Sequence, residues 1–210
     1  MVLDWQGPRG FLDQIAGMNR EPPILKGDRV LLRMASASDV PAILGYYRRN
    51  HAYFEPTDPK RPKDFHTSES WTKRVERLAA EFQTDKSLRF FVFRTDDDAR
   101  VIGTVGFSDF VRGPLQACLL GYALDEHEQG KGLMNEALSL ALRYVFVELN
   151  MHRVAAGYLP TNARSARVLR RLGFVVEGYA RDFLQINGRW EDHILTSLVN
   201  PDWKPRGEQQ

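Results

Sequence analysis

The chain has 210 residues, 43% hydrophobic and 11% aromatic, which suits one large or two small globular domains with a sizeable core. Its 29 basic and 27 acidic residues leave a formal charge of +2, too small an excess to argue for nucleic acid from charge alone. One cysteine, Cys118, excludes an internal disulfide framework, and five scattered histidines without zinc-ligand spacing predict no metal.

In chain order, residues 1–23 carry three prolines and no sustained period. They read as an N-terminal extension with one helical turn near Phe11 to Ile15, and no basic-then-apolar pattern marks a signal peptide. "DRVLLRM" (28–34) is a short strand. Ser36 and Asp39 stand at capping-box spacing ahead of a helix over Val40 to Arg49. "FEPTDPKRP" is a proline loop, and Thr67 caps a second helix whose apolar face is Trp71, Val75, Leu78 and Phe82. Three strands follow, "LRFFVFRT" (88–95), "VIGTVGFSDF" (101–110) and "ACLLGYAL" (117–124), with "DDDAR" as a turn. Their spacing predicts an antiparallel meander. A helix from Leu133 to about Asn150 shows Leu133, Ala137, Leu140, Ala141 and Tyr144 on one face. "RVAAGYL" (153–159) is a strand, "NARSARVLRRLGF" a helix closed by Gly173, and the last two strands join at Asn187-Gly188, a strong hairpin signal. No stretch approaches the ~18 uninterrupted apolar residues of a membrane span. The expectation is a mixed α/β layered domain in the cytoplasm, without membrane attachment.

The stretch "DEHEQGKGLMNEAL" spends two glycines and a lysine where a helix begins. A P-loop would need Ser or Thr after Lys131, and the chain has Gly132. The dinucleotide fingerprint would need a third glycine at Asn135. What remains is a strand, an acidic loop, Gln-Gly-Lys-Gly and a helix. The first N–H groups of a helix lack internal partners, so this turn can hold an anion; an ordinary loop-to-helix junction is the other reading.

Together with its neighbours the turn is more specific. "GDRVLLR", "FSDFVRG", "GYALDEHEQGKGLMNEAL", "NARSARVLRRLGF", "EGYARDFLQINGRWEDH" and "PDW" resemble the GNAT acyl-CoA N-acetyltransferases of the RimJ/RimL ribosomal-protein type, on the RimJ side. The resemblance runs from about Ile24 to Trp203, which implies a GNAT domain over 24–203 with a tail at 204–210. It implies a mixed, mostly antiparallel sheet flanked by helices and acetyl-CoA as co-substrate. Gln129, Gly130, Lys131, Gly132, Leu133 and Met134 would hold the CoA pyrophosphate through backbone N–H groups. The family motif ends in glycine or alanine, so the Met134 side chain would have to point away. Gly121, Tyr122, Ala123 and Leu124 would bond the pantetheine arm from a splayed strand, and Asn162 and Ser165 would lie near the thioester.

Acetyl transfer to an amine needs a deprotonated amine, a donor for the carbonyl oxygen and an acid for the departing thiolate. Many family members place a tyrosine where this chain has Leu169. Ser165 is the substitute acid, or else a cap or CoA contact. RimL-type enzymes carry a glutamate where this chain has Leu184; Asp182, two residues away, and Glu55, in the proline loop, are the candidate bases, each otherwise a solvated carboxylate. Cys118 reads as a buried apolar residue, and Arg167, Arg170 and Arg171 as a solvated face. Tyr46, Tyr47, Tyr53 and Phe54 line an acceptor groove or pack in the core. The implied acceptor is the N-terminal amine of a ribosomal protein beginning with Ala or Ser, free or on the ribosome, with no nucleic acid required. The alternatives are a small-molecule amine acetyltransferase and a non-catalytic, acyl-CoA-dependent ribosome-assembly module. The oligomeric state stays open between monomer and homodimer.

Overall fold

The computed structural model describes residues 20–205; the helical turn expected near Phe11 to Ile15 lies outside them. Among the described residues eight strands form one sheet in the order β1-β2-β3-β4-β5-β6-β8-β7. They are β1 (Ile24–Lys26), β2 (Val30–Arg33), β3 (Leu88–Arg94), β4 (Asp97–Val111), β5 (Ala117–Leu124), β6 (Arg153–Tyr158), β7 (Val175–Ile186) and β8 (Arg189–Val199). All neighbours pair antiparallel except β5 and β6, which are parallel. A parallel pair needs a long crossover, and helix α4 (Leu133–Val147) supplies it.

The central strands are apolar without alternation because both faces of the sheet are covered. Phe90 and Val92 of β3 join Leu133, Ala137 and Leu138 of α4 on one face. Phe91 and Phe93 point the other way. They pack with Ile43 and Tyr46 of α1 (Val40–Arg49), and with Trp71 and Val75 of α3 (Ser68–Gln83). Helix α2 (His51–Phe54) and helix α5 (Ala163–Arg171) complete the set. Helix α1 is preceded by one 3-10 turn, Ala37–Asp39, where the Ser36 N–H donates to Asp39 Oδ2 at 2.8 Å as the spacing predicts. Thr67 caps α3 through the Ser70 N–H at 3.2 Å.

Several boundaries differ from the sequence expectation. Residues 24–26 form β1, an edge strand too short to show a period. The turn assigned to "DDDAR" is confined to Thr95-Asp96, and Asp97 to Arg100 extend β4 as an exposed ribbon paired at Arg94↔Asp97. The four residues of α2 lie partly in the segment read as a loop. Helix α4 stops at Val147, since Asn150 takes φ +51° to turn the chain into β6. Its buried face is also wider than expected: Met134, Leu138, Leu142 and Val145 are buried, and Leu140 and Tyr144 only partly so. No described helix is long and apolar enough to cross a membrane.

Candidate active site

Strands β5 and β6 pair only through Ala117↔Arg153, Cys118↔Val154 and Leu119↔Ala155. Beyond Leu119 they diverge, and β5 continues to Leu124 with β4 alone as its partner, from Leu120↔Phe107 to Leu124↔Gly103. The other edge of Gly121, Tyr122, Ala123 and Leu124 therefore faces a wedge-shaped cleft. Its backbone donors and acceptors have no ladder partner there among the described residues, and an extended polar arm can take that place.

The strand runs directly into an anchored loop. Asp125 is fully buried and accepts from Arg49 Nε at 2.5 Å and from the His127 N–H at 3.1 Å, with Arg100 at 3.3 Å. Burial pushes its carboxyl up, but the Arg49 and His127 hydrogen bonds and the Arg49 charge win and hold it below its ordinary value. After a 3-10 turn at Glu126–Glu128 come Gly130 (φ +75°) and Gly132 (φ +77°), both in the region that favours glycine. Gly132 is the N-cap of α4 and offers no side-chain cap. Leu133 and Met134 are buried in the core, so their side chains leave the first-turn N–H groups uncovered. Met134 thus satisfies the requirement that its side chain point away from the turn. The Lys131 ammonium folds back onto Glu128 at 3.0 Å, leaving the backbone rather than the lysine to define the turn.

Arg29 straps the turn from behind. Its guanidinium bonds Glu136 Oε2 at 2.8 Å and the Lys131 carbonyl at 2.9 Å, and its backbone N–H bonds Glu136 Oε1 at 2.8 Å. Gly27 lies against the same carboxylate: a Cβ there would stand 2.6 Å from Glu136 Oε1.

Across the cleft α5 begins at a filled cap. Asn162 Oδ1 accepts the Ser165 N–H at 3.0 Å, and Ser165 Oγ lies 2.7 Å from the Tyr122 hydroxyl. Burial pushes the Tyr122 phenol up to about 12, against a smaller opposing effect of the Ser165 hydrogen bond, so it stays protonated and able to donate. A second bridge joins the two sides: Arg164 donates to Gln129 Oε1 at 2.8 Å and to the Tyr53 hydroxyl at 3.0 Å, and Gln129 bonds the same hydroxyl.

The structure brings Gly121 to Leu124, Gln129 to Met134, Asn162 and Ser165 around one cleft. Glu55 and Asp182 stand apart, with no hydrogen bond or ion pair to Ser165 among the described residues. Glu55 follows α2, exposed, and lines a cavity of about 240 Å³ with His51, His66 and Asn187 of the β7–β8 turn. The strand-face relation drawn between Asp182 and Leu184 does not hold. Residues 181–183 bulge opposite Asp192, and Asp182 takes φ +47°, which breaks the two-residue alternation. Its backbone N–H is held by Asp192 Oδ1 at 2.8 Å. Leu169 and Tyr46 are core; Tyr47 and Phe54 are buried but also line the cavity beside Glu55, and Tyr53 reaches the cleft. Cys118 is buried, and burial pushes its thiol up to about 12. Among the described residues no group of acidic, histidine or cysteine side chains could hold a metal ion.

The acetyltransferase (GNAT) domain model matches residues 29–175, a span that holds the diverging strand, the glycine turn and the uncapped start of α4. The chain belongs to this GNAT family. The [ribosomal protein uS5]-alanine N-acetyltransferase of Escherichia coli (strain K12) is 40% identical over 181 residues, covering 86% of this chain and 93% of that protein. The ribosomal-protein-S5-alanine acetyltransferase structure from Vibrio fischeri superposes with a TM-score of 0.83 at 40% identity, covering 87% of this chain and all of that one. Mycobacterium smegmatis RimJ in complex with CoA-disulfide has a TM-score of 0.76 at 26% identity, covering 85% and 86%. This GNAT chain is thus an acetyltransferase. Sequence reasoning missed the Arg29 strap, the Arg164 bridge and the pairing of Tyr122 with Ser165. Each joins residues far apart in the chain, and no spacing in the sequence signals such a contact.

Proposed function

We propose that this acetyltransferase moves the acetyl group of acetyl-CoA to a protein N-terminal α-amine, that of a ribosomal protein beginning with Ala or Ser, in the cytoplasm. Residues 24–203 form its catalytic domain. The observation that carries the reading is the unpaired edge of Gly121 to Leu124 running into the uncapped start of α4, in a chain 40% identical to a uS5-alanine N-acetyltransferase.

The pantetheine arm pairs with the free β5 edge, and the pyrophosphate receives the N–H groups of residues 129–134. The extra strand-like pairing aligns the thioester, and a backbone N–H near Leu124 meets the carbonyl oxygen as it gains charge. A free α-amine has a pKa of about 8, so a sizeable neutral fraction exists near pH 7. Glu55, on the acceptor cavity, takes the remaining proton; Asp182 is the weaker candidate because its bulge turns it out of register. The amine attacks the thioester directly, the C–N bond forms and the C–S bond breaks. Ser165 donates to the departing thiolate while the Tyr122 hydroxyl donates to Ser165, which supplies here the acid that Leu169 cannot.

A competition mixture followed by mass spectrometry tests the reading. Peptides beginning with Ala or Ser are expected to be acetylated at the α-amine ahead of internal lysines and spermidine. Equal or higher kcat/KM for spermidine or a lysine ε-amine would replace the reading with a small-molecule or lysine acceptor. No turnover on any amine would leave the non-catalytic module.

A further inference from the structure

On the α1–α3 face of the sheet, three residues stand side by side on neighbouring strands: Arg89 of β3 opposite Gly106 of β4, and Gly106 opposite Gly121 of β5. The Arg89 guanidinium lies over the first glycine. A Cβ at Gly106 would stand 3.1 Å from its terminal nitrogen and 3.3 Å from Cζ, whereas a Cβ at Gly121 would meet nothing within 4 Å. Two adjacent glycines thus make a bare floor, with the arginine over the Gly106 half and the Gly121 half open.

Above this floor is a cavity of about 330 Å³ whose walls include Arg61, Arg74 and Arg77 as well as Arg89. Arg61 is paired with Asp58, and Arg77 with Glu81 at 3.5 Å. Among the described residues no carboxylate lies within 4 Å of Arg74 or Arg89. Asp58 attracts Arg89 from farther off and Glu81 is the one acidic residue of the lining, so four arginines leave the walls of this half-enclosed space with an excess of positive charge. A cavity walled by one sign of charge attracts an anion.

We propose that this cavity binds the acidic side chains that follow the acceptor's N-terminal residue, so that the enzyme selects protein N-termini with a carboxylate close behind the amine. The inference rests on the acceptor reading given above and names a substrate class within it. Arginine forks match carboxylate geometry, and the lining includes Gly121, the first residue of the free β5 edge, so an amine at the thioester places its following residues here. A nucleotide fits less well, because the aromatic faces are already covered. Arg61 lies 4.1 Å over Phe65, Arg74 lies 5.1 Å over the same ring, and Trp71 stacks on Tyr47 at 5.1 Å, so these three rings already have partners.

Two peptides beginning with Ala, one with Glu at its second to fourth positions and one with Gln there, separate the possibilities. Their affinities are measured by fluorescence polarisation with CoA bound, and turnover of acetyl-CoA is followed in parallel. The Glu peptide is expected to bind about tenfold tighter, the usual scale for hydrogen bonds to a charged group. Arg89→Gln and Arg74→Gln should each shrink that ratio severalfold, and raising salt to about 0.5 M should shrink it further. Arg74→Gln changes a helix surface and serves if Arg89→Gln fails to fold. A ratio near one, or a ratio unchanged in both variants, overturns the proposal. AMP displacing the peptides while Glu gives no advantage overturns it in favour of a nucleotide cavity. Turnover without a Glu preference removes this inference alone; a Glu preference in binding without turnover removes the acceptor reading and leaves the anion cavity.

Discussion

Two helices begin on opposite sides of the same cleft, and they begin differently. Helix α4 starts at Gly132, with no side chain closing its first turn and with its flanking side chains sunk in the core. Helix α5 starts at Asn162, whose side-chain Oδ1 closes the turn by accepting the Ser165 N–H. An open start has N–H groups and positive potential to offer a ligand; a closed start spends them inside the protein and fixes a side chain instead. The first suits a phosphate-bearing cofactor and the second suits a positioned hydroxyl. Their surroundings follow the same division. The open start is held by charge, through Asp125, Arg49, Arg29 and Glu136, and the closed one by neutral hydrogen bonds, through Asn162, Ser165 and Tyr122.

The largest effect is expected from putting a negative charge on the open start. Like charges about 4 Å apart near a surface repel by about 4 kcal/mol, roughly three decades of affinity. Gly132→Glu should therefore abolish acetyl-CoA binding by calorimetry. Gly132→Ala, which carries the strain of the positive φ without the charge, should fold less stably by about 1–3 kcal/mol and keep far more of the binding. Equal binding loss in both variants would mean that backbone shape rather than charge controls the site.

At the closed start the expected change is in rate. Ser165→Ala should lower kcat about tenfold or more, within the range of acid catalysis, with a smaller change in KM for acetyl-CoA. Tyr122→Phe should lower it less, because Ser165 keeps its own proton. A raised KM with unchanged kcat would make Ser165 a cofactor contact and remove the contrast.

The smallest effect separates the two by pH. The Asp125 carboxyl is held below its ordinary value of 3.8 in the folded protein, so its contribution is complete above that value and is lost as pH falls through the depressed one. No titrating group closes the α5 turn. Below about pH 4, amide exchange is expected to rise in residues 125–132 before it rises in residues 162–166. Simultaneous loss would show that global unfolding, not the Asp125 anchor, governs the open side.

The element order was legible because each element carries a local signal. The Asn187-Gly188 hairpin, the Thr67 cap, the apolar run of β3 and the glycines at 130 and 132 each state their structure within a few residues. Boundaries were less legible where pairing overrides composition. Asp97 to Arg100 read as a turn by their charge, yet β4 extends through them because the hairpin closes at Thr95-Asp96. The Asp182 argument assumed an unbroken strand, and only pairing with Asp192 and its neighbours shows the bulge. The glycines at 106 and 121 carried no cavity signal, since fifteen residues separate them in the chain and only strand register sets them side by side.

The sequence by itself determined the family, the order of helices and strands, and the glycine turn with its helix, because periodicity, caps and turn residues act over a few positions. Only the tertiary structure decided that β5 leaves β6 after Leu119, that Tyr122 meets Ser165 and that Arg29 braces the turn. These contacts join segments 36 to 107 positions apart. Which partner a backbone edge or a guanidinium finds at that separation depends on how the whole sheet and its helices pack, and no local pattern encodes it.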